Sequence, residues 1–545
     1  MRQLRARAGI AALAAVPLVV LGVFFVLPVG GMIHRGFWPD GSFAPARVLS
    51  VLGRPRVGRV LWFTVWSAGA ATVVSVVLGV PLAYLAHRLE FPGRAVLRAL
   101  VLVPFVLPTV VIGVAFHQLL GAAGPLGGLG LDGTPTEIVA AMVFFNLGVV
   151  VRTVGSFWEG IDPRQQEAAA ALGAAPWRVF TTVTLPTLLP GIVAGASVVF
   201  LFCATAFGVV LTLGGLRYSN VETEIYLLTT QQLDLPAAAA LSLLQILVIT
   251  GLLLLAHRAR RDVPPIDRGD TRRHRVSGRD LPVVCLAAVV VGFLLVPLVN
   301  LGLASLRDAS GWGLGNYRAL SSVSGDALLV SVTDALRTSV LYAGYAAVLS
   351  MTMGMLVSFL VSRPRRTRFG RRLTGAFDGL FMLPLGVSAV TLGFGFLITL
   401  DRPPLDLRTS WVLIPVAQSL VALPLVVRTL APVLSSVDDR QRQAAASLGA
   451  SPGQVLLAID LPLVWRPLLA ATGFAFAVSL GEFGATSFLA RSDNPTLPVV
   501  IYQLLGHPGQ QNLGMAMAAS AILAAATAGV ALLIDRPRAA ALGVL

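Results

Sequence analysis

Apolar residues along this chain run continuously, not alternately, and each run ends in a short polar segment. Stretches of about 18 or more such residues are long enough to cross a bilayer as helices. A membrane β-barrel requires alternation, which these runs lack. The pattern predicts about twelve spans by the twenty-residue criterion. In the first half they fall near 9–33, 60–87, 97–121, 136–156, 187–213 and 237–257. In the second they fall near 281–304, 336–361, 376–400, 410–431, 463–489 and 512–534. Pro81, Pro108 and Pro384 lie inside spans and mark candidate kinks. The expected fold is an all-α polytopic membrane protein.

Composition agrees: 56% of the 545 residues are hydrophobic, 12% are charged, and the mean hydropathy is +0.81. A net charge of +15 raises the question of nucleic acid, but the arginines sit in loops beside apolar runs. Eight lie between Arg258 and Arg279 and six between Arg363 and Arg372. That placement is the positive-inside pattern of a bilayer protein and calls for no nucleic-acid partner. It assigns 88–98, 257–280 and 362–373 to the cytoplasmic side. An even number of spans returns Arg536 and Arg538 to that side, so both termini are expected there. Met1 to Arg7 resembles the start of a signal peptide. The apolar run that follows to Ile33 is too long for one, and a retained first helix is expected.

All 41 basic residues are arginine. A phosphate-binding loop of the G-x-x-x-x-G-K-[ST] type needs lysine, so the chain carries none, and any ATP-driven step belongs to another subunit. Cys203 and Cys285 are too few and too far apart for a metal cluster or a disulfide framework. No metal site, nucleophile elbow or dinucleotide turn emerges, and no enzymatic activity is expected of this chain alone.

A fixed register joins the two halves. Pro108 and Pro384, Arg152 and Arg428, Asp162 and Asp438, Gly173 and Gly449, Pro186 and Pro462, and Tyr226 and Tyr502 are each 276 positions apart. Gly79 and Gly354, like Arg88 and Arg363, are 275 apart, so one insertion or deletion separates the blocks. The chain reads as a tandem duplication. Six spans per half give both halves the same orientation, a parallel repeat about the membrane normal. The expected organisation is a first half at 1–257, an arginine-rich linker at 258–280 and a second half at 281–545. The segments 214–236 and 490–511 read as polar outer loops, and Trp312 to Leu320 as a short surface helix.

The densest element of the repeat is a polar segment between spans four and five. Glu167-Ala168-Ala169 leads to Gly173 six residues on, then to Val183 and Leu185-Pro186. Its second copy is Gln443-Ala444-Ala445, Gly449, Ile459 and Leu461-Pro462. Asp162-Pro163 supplies a cap and a first-turn proline, the alanines favour helix, and Gly173 with Pro176 stops it. In the second copy Ser436, Asp438 or Asp439 opens the helix, and Gly449 with Pro452 closes it. Short helices are therefore expected near 161–177 and 437–453, where small residues permit close approach by a partner.

The Glu-Ala-Ala, Gly and β-branched-x-Leu-Pro spacing resembles the motif of the permease subunits of ABC importers. Two copies in one chain resemble the fused permeases of thiamine and ferric-iron importers. The resemblance implies a type I importer fold of two six-helix halves and two ABC ATPase subunits docked on the repeated helices. ATP and Mg are then bound by those partners, and no cofactor by this chain. It further implies a substrate-binding protein on the outer face of a bacterial cytoplasmic membrane. Glu167, Ala168, Ala169, Gly173, Leu185, Pro186, Gln443, Ala444, Ala445, Gly449, Leu461 and Pro462 become the ATPase-coupling residues. Gln443 departs from the motif, so a charge contact at Glu167 has no counterpart in the second copy.

Glu482, in the eleventh span, is the one pathway candidate, since charge inside a span is costly and its equivalent in the first half is Ala206. His117, Gln118, Asn146, Gln245 and Gln418 are expected to hydrogen-bond between helices, and Trp62, Trp66, Trp158 and Trp411 to mark the interfaces. The resemblance points to thiamine or ferric iron as substrate, with sulfate and molybdate open. The competing reading is an ion-gradient-driven carrier, which also is often built of two parallel six-helix halves.

Overall fold

The computed structural model describes residues 13–541 apart from 39–40, 216, 261–273, 309–310, 324–327, 363–367, 402 and 404. The basic amino terminus, most of the predicted linker and part of the second arginine cluster lie outside these residues. Twenty helices carry the argument. The first ten are α1 Leu13–Phe37, α2 Pro55–Arg88, α3 Arg94–Val106, α4 Thr109–Leu120, α5 Pro135–Glu159, α6 Pro163–Ala171, α7 Pro176–Ala204, α8 Phe207–Gly214, α9 Val221–Thr230 and α10 Leu235–Arg260. The second ten are α11 Leu281–Ser305, α12 Val332–Ser362, α13 Arg368–Met382, α14 Ala389–Thr399, α15 Leu413–Ser436, α16 Asp439–Ser447, α17 Gly453–Leu480, α18 Thr486–Leu489, α19 Leu497–Gly506 and α20 Gln510–Ala541. Each helix of the first set has its counterpart ten places on.

Among the described residues ten helices are long and apolar enough to cross a membrane. The third predicted span of each half is broken. α3 and α4 meet at Leu107–Pro108 with a bend of 103°. Their counterparts α13 and α14 are separated by a short 3-10 turn at Leu383–Gly386 around Pro384. Proline lacks the N–H that would continue the helix, so both copies of the repeated proline end one helix and start another. The fifth spans are also shorter than the apolar runs suggested. α7 stops at Ala204, and the rest of the run forms the separate α8.

Within each half three long helices pack together: α2, α5 and α7, and likewise α12, α15 and α17. Gly79 lies on α2 where it crosses α5, and a Cβ there would collide with Val150. Gly354 on α12 stands in the same relation to Val426, the counterpart of Val150. With no lipid-exclusion force between helices, such small-residue crossings let backbones approach and recover dispersion energy. The first helix of each half reaches across to the other: α1 packs on α14, and α11 packs on α4. Gly31 on α1 is filled against by Thr399 of α14, while Phe293 of α11 lies edge-on to Phe116 of α4 at 6.3 Å.

The predicted outer loops are corrected by the structure. Residues 221–230 and 497–506 form α9 and α19, and both helices are largely buried. The polar residues that suggested a loop, Glu222 and Glu224, are paired inside the protein rather than hydrated. Trp158 is likewise buried, at 4% exposure, packing on Tyr84, and is no interfacial anchor. Trp62, Trp66 and Trp411 are exposed. The surface helix in the 312–320 segment is Gly315–Ala319. Beyond the undescribed linker, His274–Arg275 pairs in parallel with Leu89–Glu90 of the loop after α2.

Gly79→Val and Gly354→Val each insert bulk where the helices touch, an overpacking cost of about 1–3 kcal/mol. Thermal unfolding of the detergent-solubilised protein is expected to show a lowered midpoint for both. Gly69→Val, on the same helix but with open space around it, keeps the parent midpoint. Equal midpoints for all three variants contradict the crossing.

Candidate functional site

The repeated motif folds into the same object twice. Asp162 caps α6, its Oδ1 accepting the Arg164 N–H at 2.9 Å, and Asp438 caps α16 with the Arg440 N–H at 2.9 Å. Each helix is nine residues long. Each ends at a leucine whose N–H returns to an alanine carbonyl, Leu172 to Ala168 and Leu448 to Ala444, both at 3.1 Å. Gly173 and Gly449 then take φ of +85° and +89°, the left-handed conformation in which a side chain is strained. Ala174 and Ala450 close the turn by donating to Ala169 and Ala445, at 3.2 Å and 3.0 Å.

The chain enters the following span through a π-helical turn in both copies, Phe180–Thr184 and Leu456–Asp460. Leu185-Pro186 and Leu461-Pro462 stand immediately after it. The wider turn fits a proline that cannot donate back to the preceding turn.

What these helices present is also the same. No residue of α6 is buried, and on α16 only Arg442 is. Glu167 and Gln443 are exposed, as are Ala168 and Ala444, while Ala169 and Ala445 are half-buried. Glu167 makes no ion pair among the described residues. The most prominent side chains are Leu172 and Leu448, each 90% exposed at the tip of its turn. Sequence reading passed over them because a leucine in an apolar chain carries no signal of its own. Their shared place before the repeated glycine is the clue that could have found them.

The two copies differ in how they are tied down. Arg442 reaches from α16 to Asp460 at 2.8 Å, to Asp439 at 2.9 Å and to the Leu434 carbonyl at 2.9 Å. Asp460 is fully buried and Arg442 nearly so. Burial alone lowers the pKa of Arg442, but the hydrogen bonds to Asp460 and Asp439 outweigh it and hold the guanidinium above its ordinary value. The counterparts are Gln166 and Thr184, joined by a neutral hydrogen bond of 3.0 Å. Charge asymmetry was expected at Glu167 and Gln443; an internal one lies one position before them.

Elsewhere, Glu482 is buried. Its carboxylate accepts the N–H groups of Ala485 at 2.7 Å and Thr486 at 3.1 Å, capping α18. The carboxylate that bridges the two halves is Glu222. It accepts from Gln245 on one oxygen and from Ser388, just before α14, at 2.8 Å on the other. Asn146 donates to the Met142 carbonyl and to Cys203 Sγ, and His117 pairs with Asp132 at 3.3 Å.

Removing one partner of a buried ion pair strands the other charge, at a cost of about 3–5 kcal/mol. Asp460→Ala is therefore expected to lower the unfolding midpoint far more than Thr184→Ala, which loses a neutral hydrogen bond worth about 1 kcal/mol. Limited proteolysis at α16 and α6 gives the same ordering. Equal sensitivity of the two loops refutes the unequal anchoring.

Comparison with known proteins gives these features a frame. The family described as binding-protein-dependent transport system inner membrane component matches twice, at residues 75–262 and 350–536. The thiamine transport system permease protein ThiP of Escherichia coli K12 is 29% identical over 465 residues, 82% of this chain and 83% of that one. ThiP of Salmonella typhimurium is 30% identical over 483 residues, 85% and 86% of the two chains. A probable ABC transporter permease protein, y4fN of Sinorhizobium fredii, is 26% identical over 518 residues, covering 88% and 87%. With both repeats matched over more than half of its length, the chain belongs to the inner-membrane components of binding-protein-dependent transport systems, as a permease with two family repeats fused in one polypeptide.

Proposed function

We propose that this chain is the membrane pathway of an ATP-driven importer, with α6 and α16 as the docking helices for two separate ATPase subunits. The observation that carries this reading is the matched pair of exposed turns ending in Leu172 and Leu448. An apolar side chain left 90% exposed at a tight turn, twice, fits a groove on a partner better than it fits water. A gradient-driven carrier has no use for two such turns. The lack of lysine gives the same direction, since ATP and Mg must then be held by the docked subunits.

In this reading α6 and α16 face the cytoplasm with both termini, in a bacterial cytoplasmic membrane, and a binding protein delivers substrate from the other face. Thiamine is the substrate favoured, because two of the three relatives named above are thiamine permeases, matched across most of both chains. Ferric iron is second. Binding of ATP draws the docked subunits together, and the rigid turns transmit that movement to α7 and α17 through the π-helical turns.

Leu172→Asp combined with Leu448→Asp is expected to abolish copurification of the ATPase and to reduce ATP-dependent uptake at least about tenfold, as loss of central anchors does. Gly173→Trp combined with Gly449→Trp acts alike, because the left-handed turn is lost. Glu167→Ala has the smaller effect, since its counterpart Gln443 already lacks the charge. Wild-type copurification and uptake in the double leucine variant refute the docking role.

A further inference from the structure

The two halves meet where the repeat touches itself. Phe207 and Phe483 are equivalent positions, as are Tyr226 and Tyr502. The rings of Phe207 and Phe483 stack at 5.2 Å with an interplanar angle of 23°. Tyr226 lies against Phe207 at 5.4 Å, and Tyr502 against Phe483 at 5.6 Å. Residues related by a twofold touch each other only beside the axis that relates them. The stack therefore marks the local axis between the halves, where a passage formed by two parallel repeats runs, and it closes that line. Glu482, by capping α18, holds the turn on which Phe483 sits.

One carboxylate belongs to this place. Glu222 lies one turn before Tyr226 on α9, so both side chains share a face. It is fully buried, and its hydrogen-bond partners are the neutral side chains of Gln245 and Ser388. The Ser388 hydroxyl also lies 3.0 Å from that of Thr391, which donates to the Gln245 carbonyl oxygen at 3.4 Å, so residues of both halves surround the carboxylate.

The other buried carboxylates among the described residues are otherwise committed. Glu224 and Asp460 pair with Arg56 and Arg442. Glu137 and Glu482 accept backbone N–H groups at helix starts. Asp280 takes Tyr84 and Ser277 at the start of α11. Glu222 alone has neither an arginine nor a backbone donor. The fold does not require it, because Pro498 stands in its place in the second half. A carboxylate without a countercharge in apolar surroundings is expensive and needs a reason.

We propose that Glu222 is the pathway residue that accepts a cationic substrate, seated beside the closed Phe207–Phe483 aperture. Resting on the import reading above, this names the residue that selects what passes. When the halves part, Ser388 leaves with the second half and one carboxylate oxygen loses its donor. A cation arriving between the halves replaces it, whereas a neutral or anionic solute does not. The aromatic faces beside it suit an organic cation with a flat ring, through cation–π contact and stacking.

The test is ATP-dependent thiamine uptake by the whole importer in cells, with Glu222→Gln and Glu222→Asp compared with the parent. Glu222→Gln keeps size but not charge, its single amide oxygen accepting from one of the two donors where the carboxylate accepts from both, and at least about a tenfold loss of uptake is expected, with ATPase copurification retained. Glu222→Asp keeps the charge but draws it back, and a raised KM is expected. Parent-like uptake by an assembled Glu222→Gln variant overturns the assignment while leaving the thiamine reading intact. If that variant fails to assemble, an unchanged KM in Glu222→Asp overturns it instead. A parent that imports sulfate and not thiamine overturns both.

Discussion

Every non-helical residue inside the apolar region must have its backbone polar groups sheltered by protein, because lipid offers no hydrogen-bond partners. This constraint explains the exchange of first helices between the halves. The breaks at Pro108 and Pro384 free backbone groups at bilayer depth, and the short helices that follow them, α4 and α14, cannot span alone. α11 covers one and α1 the other, each coming from the opposite half. Small residues at Gly31 and Gly395 allow α1 to lie close enough to do so. The broken spans, the crossing helices and the buried α9 and α19 are thus parts of one solution. Separating the halves without those covers leaves unpaired backbone in hydrocarbon.

Duplication supplies the architecture, and departures from it supply direction. Thr64 and Ser339 illustrate the first, each accepting the N–H at the start of the short helix that follows the fifth span, Val221 at 3.1 Å and Leu497 at 2.7 Å. Arg442 with Asp460, against Gln166 with Thr184, illustrates the second. A charged tether on one side and a neutral one on the other make two exposed turns of the same shape unequal in stiffness. Motion imposed equally on both reaches the spans through joints of different strength.

Much of this was legible in the sequence. Span positions follow from the length of apolar runs, and the 276-residue register locates Gly173, Gly449 and the paired prolines from the sequence alone. The 275-residue offset of the upstream block also located Gly79 and Gly354, whose reason became visible only as a helix crossing. What failed to show was the fate of polar residues. Glu222 and Glu224 look hydrated in a linear string because their partners, Arg56, Gln245 and Ser388, are brought to them by helices more than twenty residues away. Glu482 was conspicuous for the opposite reason. Its acceptors are satisfied three and four residues on, by a local cap that composition does not reveal. Trp158 shows the same limit, since a tryptophan near a span end suits either the interface or the core.

The pairing of Glu222 with Pro498 has a bearing on why the two halves are one polypeptide. In a channel made of two identical chains, any group next to the symmetry axis is present in duplicate. Two carboxylates facing each other across a dry contact repel, and the seam they line loses cohesion. Fusion removes that obligation, because each half is then free to mutate without its image following. A single acidic group beside the axis, held by a glutamine of its own half and a serine of the other, is an arrangement that two identical chains cannot encode.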